Sequence, residues 1–270
     1  MVTLAFTSGK GSPGVTTTVL ALAMVWPEVH PERTALVIDA DPAGSGITMG
    51  FLQGRIDVAG GLVPLAARRP PDPVSAVWAE LVALDTDGRV LLLPGIPDSS
   101  LRDAVEHAWS TVATAINELG AVAPEVDVLI DLGRHPGAPP RLLDVTDRAV
   151  VVTQARLPVV PATRRAVRTI RDTVPSVGCV VVGTAKGYSA DEIGAAVDAP
   201  VLAMLPNDPG SAAVLSDGNP AGWRFKRSPL MRSARGMAAT LLAAGGEPSP
   251  PVAHGVPTAP AEEPKETADA

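Results

Sequence analysis

The chain has 270 residues, of which 46% are hydrophobic, and its formal net charge is −7 at pH 7. This length and apolar content suit one α/β domain with a large core. The net acidity argues against a protein built mainly to coat nucleic acid. One cysteine, Cys179, excludes an internal disulfide and a cysteine-ligated iron–sulfur site within the chain, and we expect it to be a buried strand thiol.

Short apolar runs alternate with longer amphipathic runs along the chain. We predict strands at residues 2–6, 35–38, 90–93, 126–130, 149–153, 179–183 and 201–205. We predict helices at residues 17–26, 74–84, 101–119, 162–173, 191–197, 212–216 and 230–244. Apolar strands alternating with helices predict a mostly parallel central sheet with helices on both faces, which is a three-layer α/β fold.

A glycine-rich turn, Ser8-Gly9-Lys10-Gly11-Ser12-Pro13-Gly14-Val15-Thr16-Thr17, joins the first predicted strand to the first predicted helix. This layout is typical of a phosphate-binding P-loop, in which backbone N–H groups and the helix N-terminus face a polyphosphate. The usual pattern ends in Gly-Lys-[Ser/Thr], but Val15 stands at the lysine position here. Pro13 also removes one N–H donor from the loop.

The loop resembles the deviant Walker A box of ParA/MinD-type ATPases, in which a signature lysine precedes the first glycine. Lys10 matches that signature lysine, and Val15 replaces the phosphate lysine. Four other loop positions match the family: Gly11, Gly14, Thr16 and Thr17. Ser12 replaces a glycine, and Pro13 lies at the family's variable position.

Further segments follow in the family's order. Residues 39–44, Asp-Ala-Asp-Pro-Ala-Gly, resemble switch I, and residues 131–133, Asp-Leu-Gly, resemble Walker B and switch II. Residues 205–209 resemble the Ile-Pro-x-Asp loop near the base, and residues 216–220 and 226–238 resemble the closing loop and last helix. The resemblance implies a P-loop NTPase domain over residues 1–244 that binds ATP and Mg²⁺ and forms a homodimer acting on an unidentified protein partner or cargo.

The resemblance also assigns roles to individual residues. It implies that Thr16, Asp39 and Asp131 hold the metal, and that Asp41 orients the attacking water. Lys10 would reach across a nucleotide-sandwich dimer to the partner's phosphates. The nucleotide would contact loop and base-site residues, namely Gly11, Ser12, Pro13, Gly14, Val15, Thr16, Thr17, Pro206, Asn207 and Asp208. The residues alone also allow plainer roles: Asp39 and Asp131 as strand ends, Thr16 and Thr17 as helix caps, and Lys10 as a solvated lysine.

The missing lysine leaves three functions open. The first is a nucleotide-dependent dimeric switch with weak ATP hydrolysis. The second is a degenerate pseudo-ATPase that serves as a scaffold or regulatory subunit, and the third is a metabolic enzyme of the same fold. For the first, either Lys10 serves alone or Arg134, three residues after Asp131, substitutes for the lost cation. Arg134 is equally compatible with an ordinary exposed loop arginine.

Two regions bear on partners. Two clusters are basic: arginines at helical spacing (Arg164, Arg165, Arg168 and Arg171) and a later segment (Arg224, Lys226, Arg227, Arg232 and Arg235). Each cluster could bind DNA phosphates non-specifically or could simply be a solvated helix face. Residues 245–270 are rich in Pro, Ala and Glu, and we expect a disordered tail without a MinD-type membrane helix. With no leader or membrane-spanning run visible, we expect a cytoplasmic protein.

Overall fold

The computed structural model describes residues 1–10, 14–55, 60–68, 71–183 and 188–243. Its strands are β1 (Thr3–Ser8), β2 (Thr34–Asp39), β3 (Val82–Ala83), β4 (Val90–Leu93), β5 (Val126–Arg134), β6 (Arg148–Gln154), β7 (Ser176–Val182) and β8 (Val201–Leu205). Its α-helices are α1 (Val15–Val29), α2 (Leu62–Ala67), α3 (Pro73–Trp78), α4 (Arg102–Val105), α5 (Ala108–Val122), α6 (Pro140–Leu143), α7 (Val160–Arg171), α8 (Ala190–Val197), α9 (Pro209–Ser216) and α10 (Pro229–Ala243).

The strands form one eight-stranded sheet in the order β3-β4-β2-β5-β1-β6-β7-β8. All neighbouring pairs are parallel except β3 with β4, which is antiparallel. Strand β1 lies between β5 and β6, so the loop that follows it leaves from the middle of the sheet. The predicted parallel α/β sheet is confirmed.

Helices cover both faces of the sheet. Phe6 of β1 packs with α1, α9 and α10, whereas its neighbour Ala5 packs with α2, α3 and α5. A third cluster joins β6 and β7 to α7 and α8. Because side chains alternate along a strand, each central strand contributes to both cores. The three-layer arrangement is therefore confirmed.

A buried carboxylate ties the N-terminus, α1 and β5 together. Asp127 accepts hydrogen bonds from the Val2 amide at 2.7 Å and from Trp26 Nε1 at 2.9 Å. Arg33 Nε lies 3.0 Å from the same carboxylate. Such a fully buried charge is tolerated because each of its oxygens is paired. This cluster fixes the end of α1 that is remote from the glycine loop.

Several predicted boundaries differ from the structure. Strand β5 continues past residue 130 to Arg134, so Asp131 lies inside the strand and does not end it. The predicted helix 74–84 ends at Trp78, because Val82 and Ala83 pair with β4 instead. The predicted helix 101–119 is divided into α4 and α5. Tertiary strand pairing and helix breaks of this kind leave little trace in local apolar periodicity.

Cys179 is fully buried in β7, as predicted, and burial raises the pKa of its thiol to about 12. In the ranges described above, no helix has the length and apolar character needed to cross a bilayer. The predicted tail, residues 245–270, lies outside the described residues, so its disorder stays a prediction.

Candidate functional site

The glycine loop begins against the first turn of α7. A Cβ on Gly9 would lie 2.4 Å from the backbone oxygen of Ala162, so only glycine fits this crossing. Lys10, the next residue, is exposed. Gly11, Ser12 and Pro13 lie outside the described residues. The loop re-enters the structure at Gly14, whose φ of 89° is left-handed and leads directly into α1.

Val15 is a core residue. Its side chain is only 6% exposed and belongs to the cluster that includes Val19, Phe6 and Leu215. At residue 15, which the resemblance aligns with the phosphate lysine, this chain therefore has an apolar side chain turned into the protein. Only the backbone N–H of Val15 is left to meet a ligand. Thr16 and Thr17, the next two residues of α1, are half-buried.

Asp39 and Asp131 are register partners on β2 and β5. Asp39 is 2% exposed and Asp131 is 1% exposed. The Ser45 hydroxyl donates a short hydrogen bond to Asp39 Oδ2, and the amide of Gly133 donates to Asp131 Oδ1 at 3.0 Å. The sheet therefore brings together two carboxyl groups that are 92 residues apart in sequence. They lie towards the carboxyl ends of the strands, where the glycine loop also begins.

Burial is the main influence on both groups, since it penalises a charge that is removed from water. Burial, and then repulsion from Asp131, raises the pKa of Asp39 to about 7. Burial likewise raises the pKa of Asp131 to about 6, although the nearby hydroxyl of Thr16 and the Gly133 amide oppose the shift. A neighbouring cation would lower both values. The pair therefore has the electrostatics of a site that favours a positive charge.

Asp41 packs against the segment that follows Asp131. Gly133 has a φ of 61°, and a Cβ there would lie 2.2 Å from Asp41 Cγ and 2.4 Å from both carboxylate oxygens. Asp41 also accepts a hydrogen bond from the amide of Ala43 at 2.8 Å and donates its own amide to Asp39 at 3.4 Å. The three predicted aspartates therefore converge, and glycine at 133 makes the room for the third.

The side-chain oxygen atoms at this site suit a Mg²⁺ ion that is bound mainly through water and phosphate oxygens. Asp131 Oδ2 is buried and has no hydrogen-bond partner among the residues that the structure describes. Thr16, beside Asp131 and Gly46, adds a hydroxyl. Within the described ranges, no three His, Cys, Asp or Glu side chains are close enough to hold a metal by themselves. Mg²⁺ commonly binds through one or two carboxylates while it retains waters and substrate oxygens, so the residues present suit it.

The segment that follows Asp39 and the segment that follows Asp131 also contact each other. A Cβ on Gly137 would lie 3.3 Å from Pro42 Cγ, and Arg102 donates to the Pro42 carbonyl at 3.0 Å. Ser45 accepts a hydrogen bond from the Thr48 amide at 2.8 Å while it donates to Asp39. Sequence reasoning missed Ser45, Arg102 and the role of Gly133. The only local signal was the position of Ser45 directly after the Asp-Pro-Ala-Gly run.

The predicted base loop has a structural task of its own. Asp208 accepts hydrogen bonds from the Ser211 amide at 3.2 Å and the Leu230 amide at 3.5 Å, so it caps α9 and holds the start of α10. Pro206 is half-buried and Asn207 is exposed. Asp208 also lines a pocket of about 510 Å³ together with Trp223 and Arg227, and the described residues of the glycine loop are not among its lining residues.

The two predicted basic clusters are partly occupied by internal contacts. Arg171 pairs with Asp198, and Arg235 pairs with Glu28. Arg224 stacks on Trp223, with its guanidinium 4.5 Å from the ring centroid. Arg164, Arg165 and Arg168 lie on the exposed side of α7. DNA binding by these surfaces stays a prediction.

No protein-family model and no curated protein sequence matches the chain. Solved structures match over nearly the whole chain. MinD complexed with Mg-ADP from Pyrococcus horikoshii has a TM-score of 0.72 and 18% identity, covering 91% of this chain and 97% of its own. A ParA family ATPase from Chlorobium tepidum has a TM-score of 0.69 and 14% identity, covering 89% and 98%.

Cobyrinic acid a,c-diamide synthase from Mycobacterium smegmatis, with a bound ATP analogue and magnesium, is also similar, with a TM-score of 0.65 and 21% identity over 93% of this chain and 99% of its own. The chain thus has the P-loop NTPase fold of the MinD and ParA ATPases. Within that fold, this chain brings Asp39, Asp41 and Asp131 together and has a core valine, Val15, at the start of α1.

Proposed function

We propose that this protein is a ParA/MinD-like ATP-binding protein, a nucleotide-dependent dimeric switch that positions DNA or another cellular cargo and hydrolyses ATP weakly. The observation that carries the proposal is the buried pair of Asp39 and Asp131 beside the start of α1. Two carboxyl groups with raised pKa values are costly in a protein that holds no cation there. A Mg-nucleotide complex gives this arrangement a physical purpose.

Each residue has a task in the proposed complex. Bound Mg²⁺ would supply charge neutralisation for the phosphate oxygens. Thr16 and Asp131 would hold it, with Asp39 acting through water, since no described residue forms a hydrogen bond to Asp131 Oδ2 and Asp39 is engaged by Ser45. Asp41, fixed against Gly133 and by the Ala43 amide, would orient a water molecule. Gly14, Val15 and Thr17 would offer backbone N–H or hydroxyl groups to the phosphates, as would Gly11 and Ser12, whereas Pro13 has no N–H and would only line the loop.

Calorimetric titration of the full chain with Mg-ATP, with Mg-ADP as the comparison, tests nucleotide binding. We expect micromolar binding that Asp131→Asn weakens at least tenfold, because the variant loses a carboxylate beside the metal. Asp172→Asn, which changes an exposed carboxyl at the end of α7, is the matched control and should bind like the parent. Absence of binding at millimolar Mg-ATP would contradict the proposal.

The dimer part of the proposal has its own test. Lys10 is exposed, as a side chain that reaches a partner's phosphates must be. We expect Mg-ATP to convert monomers to dimers in light scattering, and Lys10→Ala to prevent it while Lys226→Ala does not. Equal dimerisation of Lys10→Ala and the parent would remove Lys10 from this role.

One observation favours the pseudo-ATPase alternative, which is the burial of Val15 in the core. Removal of one electrostatic donor typically costs about 10²–10³ in rate. A protein that binds Mg-ATP without measurable phosphate release would be a switch or scaffold governed by binding alone. Steady phosphate release that Asp41→Ala abolishes would favour the enzyme.

A further inference from the structure

Strand β5 contains a one-residue irregularity just after Asp131. Phe6 of β1 is opposite Asp131, but Ser8, two residues later, is opposite Arg134, which is three residues later. The extra residue coincides with the left-handed backbone of Gly133. This is the arrangement of a β-bulge, a feature that is common beside active sites because it redirects a side chain.

The bulge decides which face of the sheet Arg134 occupies. Leu129 packs in the core on the α1 side and Ile130 in the core on the α5 side. Continued alternation places Asp131 on the α1 side and would place Arg134 on the opposite side. Because the bulge aligns Arg134 with Ser8, which shares the face of Phe6, Arg134 returns to the α1 side together with Asp131.

The backbone around Arg134 is held against the start of the glycine loop. The His135 amide donates to the Ser8 carbonyl at 2.8 Å, two residues before Lys10. The Arg134 side chain is exposed and, within the ranges the structure describes, forms no ion pair or hydrogen bond. Arg134 is therefore an exposed arginine on the face of β5 that Asp131 shares, and its backbone neighbour is held to the residue that leads into the loop.

We propose that Arg134 is the phosphate-binding cation that replaces the missing P-loop lysine. The inference rests on the proposed nucleotide function and names the residue that makes it possible. Arginine remains charged at any physiological pH and contacts phosphate oxygens in a two-pronged geometry. In this proposal Arg134 reaches the phosphates from the end of β5, whereas a P-loop lysine would reach them from the start of α1.

The test compares full-length Arg134→Ala, Arg134→Gln and Arg134→Lys with the parent in calorimetric titrations of Mg-ATP, Mg-ADP and AMP. We expect Arg134→Ala and Arg134→Gln to bind Mg-ATP about ten- to a hundredfold more weakly, since a charge-assisted contact is lost. Arg134→Lys should lose less. AMP, which lacks the β- and γ-phosphates, should bind all variants alike. Arg141→Ala, an exposed arginine on α6, is the matched control and should equal the parent.

Parent-like Mg-ATP binding by Arg134→Ala and Arg134→Gln would overturn this inference and leave the proposed function intact. An equal loss for AMP would also overturn it, because the change would then not act through the outer phosphates. A parent that fails to bind Mg-ATP would remove both proposals. Thermal melts of each variant verify that the fold is retained, and Arg134→Gln keeps the comparison available if the alanine variant is unstable.

Discussion

Asp39 and Asp131 face each other across neighbouring parallel strands, and both carboxyl groups are buried. Their raised pKa values, about 7 and about 6, exceed the ordinary value of 3.8. Between pH 4 and 7 the folded protein therefore binds more protons than the unfolded chain. The contribution of these two groups to the free energy of unfolding of the metal-free protein then decreases as the pH rises through this interval, whereas His135, whose pKa burial lowers, contributes in the opposite direction.

We expect metal-free protein to lose about 2–4 kcal/mol of stability from pH 5 to pH 7.5 through these two groups. Urea denaturation in EDTA at a series of pH values measures it. Asp131→Asn should flatten the dependence and be more stable than the parent at pH 7.5, because the repulsion on Asp39 is removed. Asp172→Asn should keep the parent's slope, and a parent stability that rises over this interval would refute the expectation.

Val15 contributes to folding through its side chain. Val15→Ala should reduce the free energy of unfolding by about 2 kcal/mol, since two buried methyl groups are lost from a packed core. Mg-ATP affinity should remain within about twofold of the parent's, because only the backbone of residue 15 faces the loop. Val122→Ala is the control, as Val122 is 67% exposed at the end of α5.

Gly133 cannot accept a side chain. A Cβ would meet the Asp41 carboxylate at 2.2 Å, and the positive φ adds backbone strain. Gly133→Ala should lower the unfolding free energy by more than about 2 kcal/mol and weaken Mg-ATP binding, because Asp41 and the bulge are displaced. Gly222→Ala has open space around it and an ordinary φ, so its melting temperature should match the parent's.

The Asp127 cluster should be among the most sensitive positions outside the site. Asp127→Ala leaves the Val2 amide, Trp26 Nε1 and Arg33 without their acceptor, and we expect a loss of about 3–5 kcal/mol. Chemical denaturation measures the loss. The exposed Asp172→Ala should cost less than about 0.5 kcal/mol. Comparable effects for the two variants would mean that the buried network is dispensable.

The sequence was sufficient to predict the sheet, because apolar runs such as residues 35–38 and 126–130 are typical of strands buried on both faces, and both runs are buried throughout. The resemblance also placed Asp39 and Asp131 at one metal site, and the structure brings the two residues together. The sequence did not predict the bulge at Gly133 or the side on which Arg134 emerges. Those depend on the register between β1 and β5, which is set by contacts 126 residues apart, such as that of Thr7 Oγ1 with the Gly133 carbonyl.

The same limit applies to Val15 and Asp208. A motif comparison identifies the position of each residue in the chain but not the direction of its side chain. Val15 turns into the core because α1 presents that face to β1, and Asp208 is engaged by two helix amides that meet only in the folded state. The predicted Mg²⁺ ligands and nucleotide contacts await the binding experiments above.

The crossing of Gly9 over Ala162 leaves no gap between the glycine loop and the first turn of α7. A side chain at position 9 would therefore press on the first turn of that helix. The outer side of α7 carries Arg164, Arg165 and Arg168, all exposed. A molecule bound to those arginines would therefore sit on the same helix whose first turn contacts Gly9, the residue before Lys10.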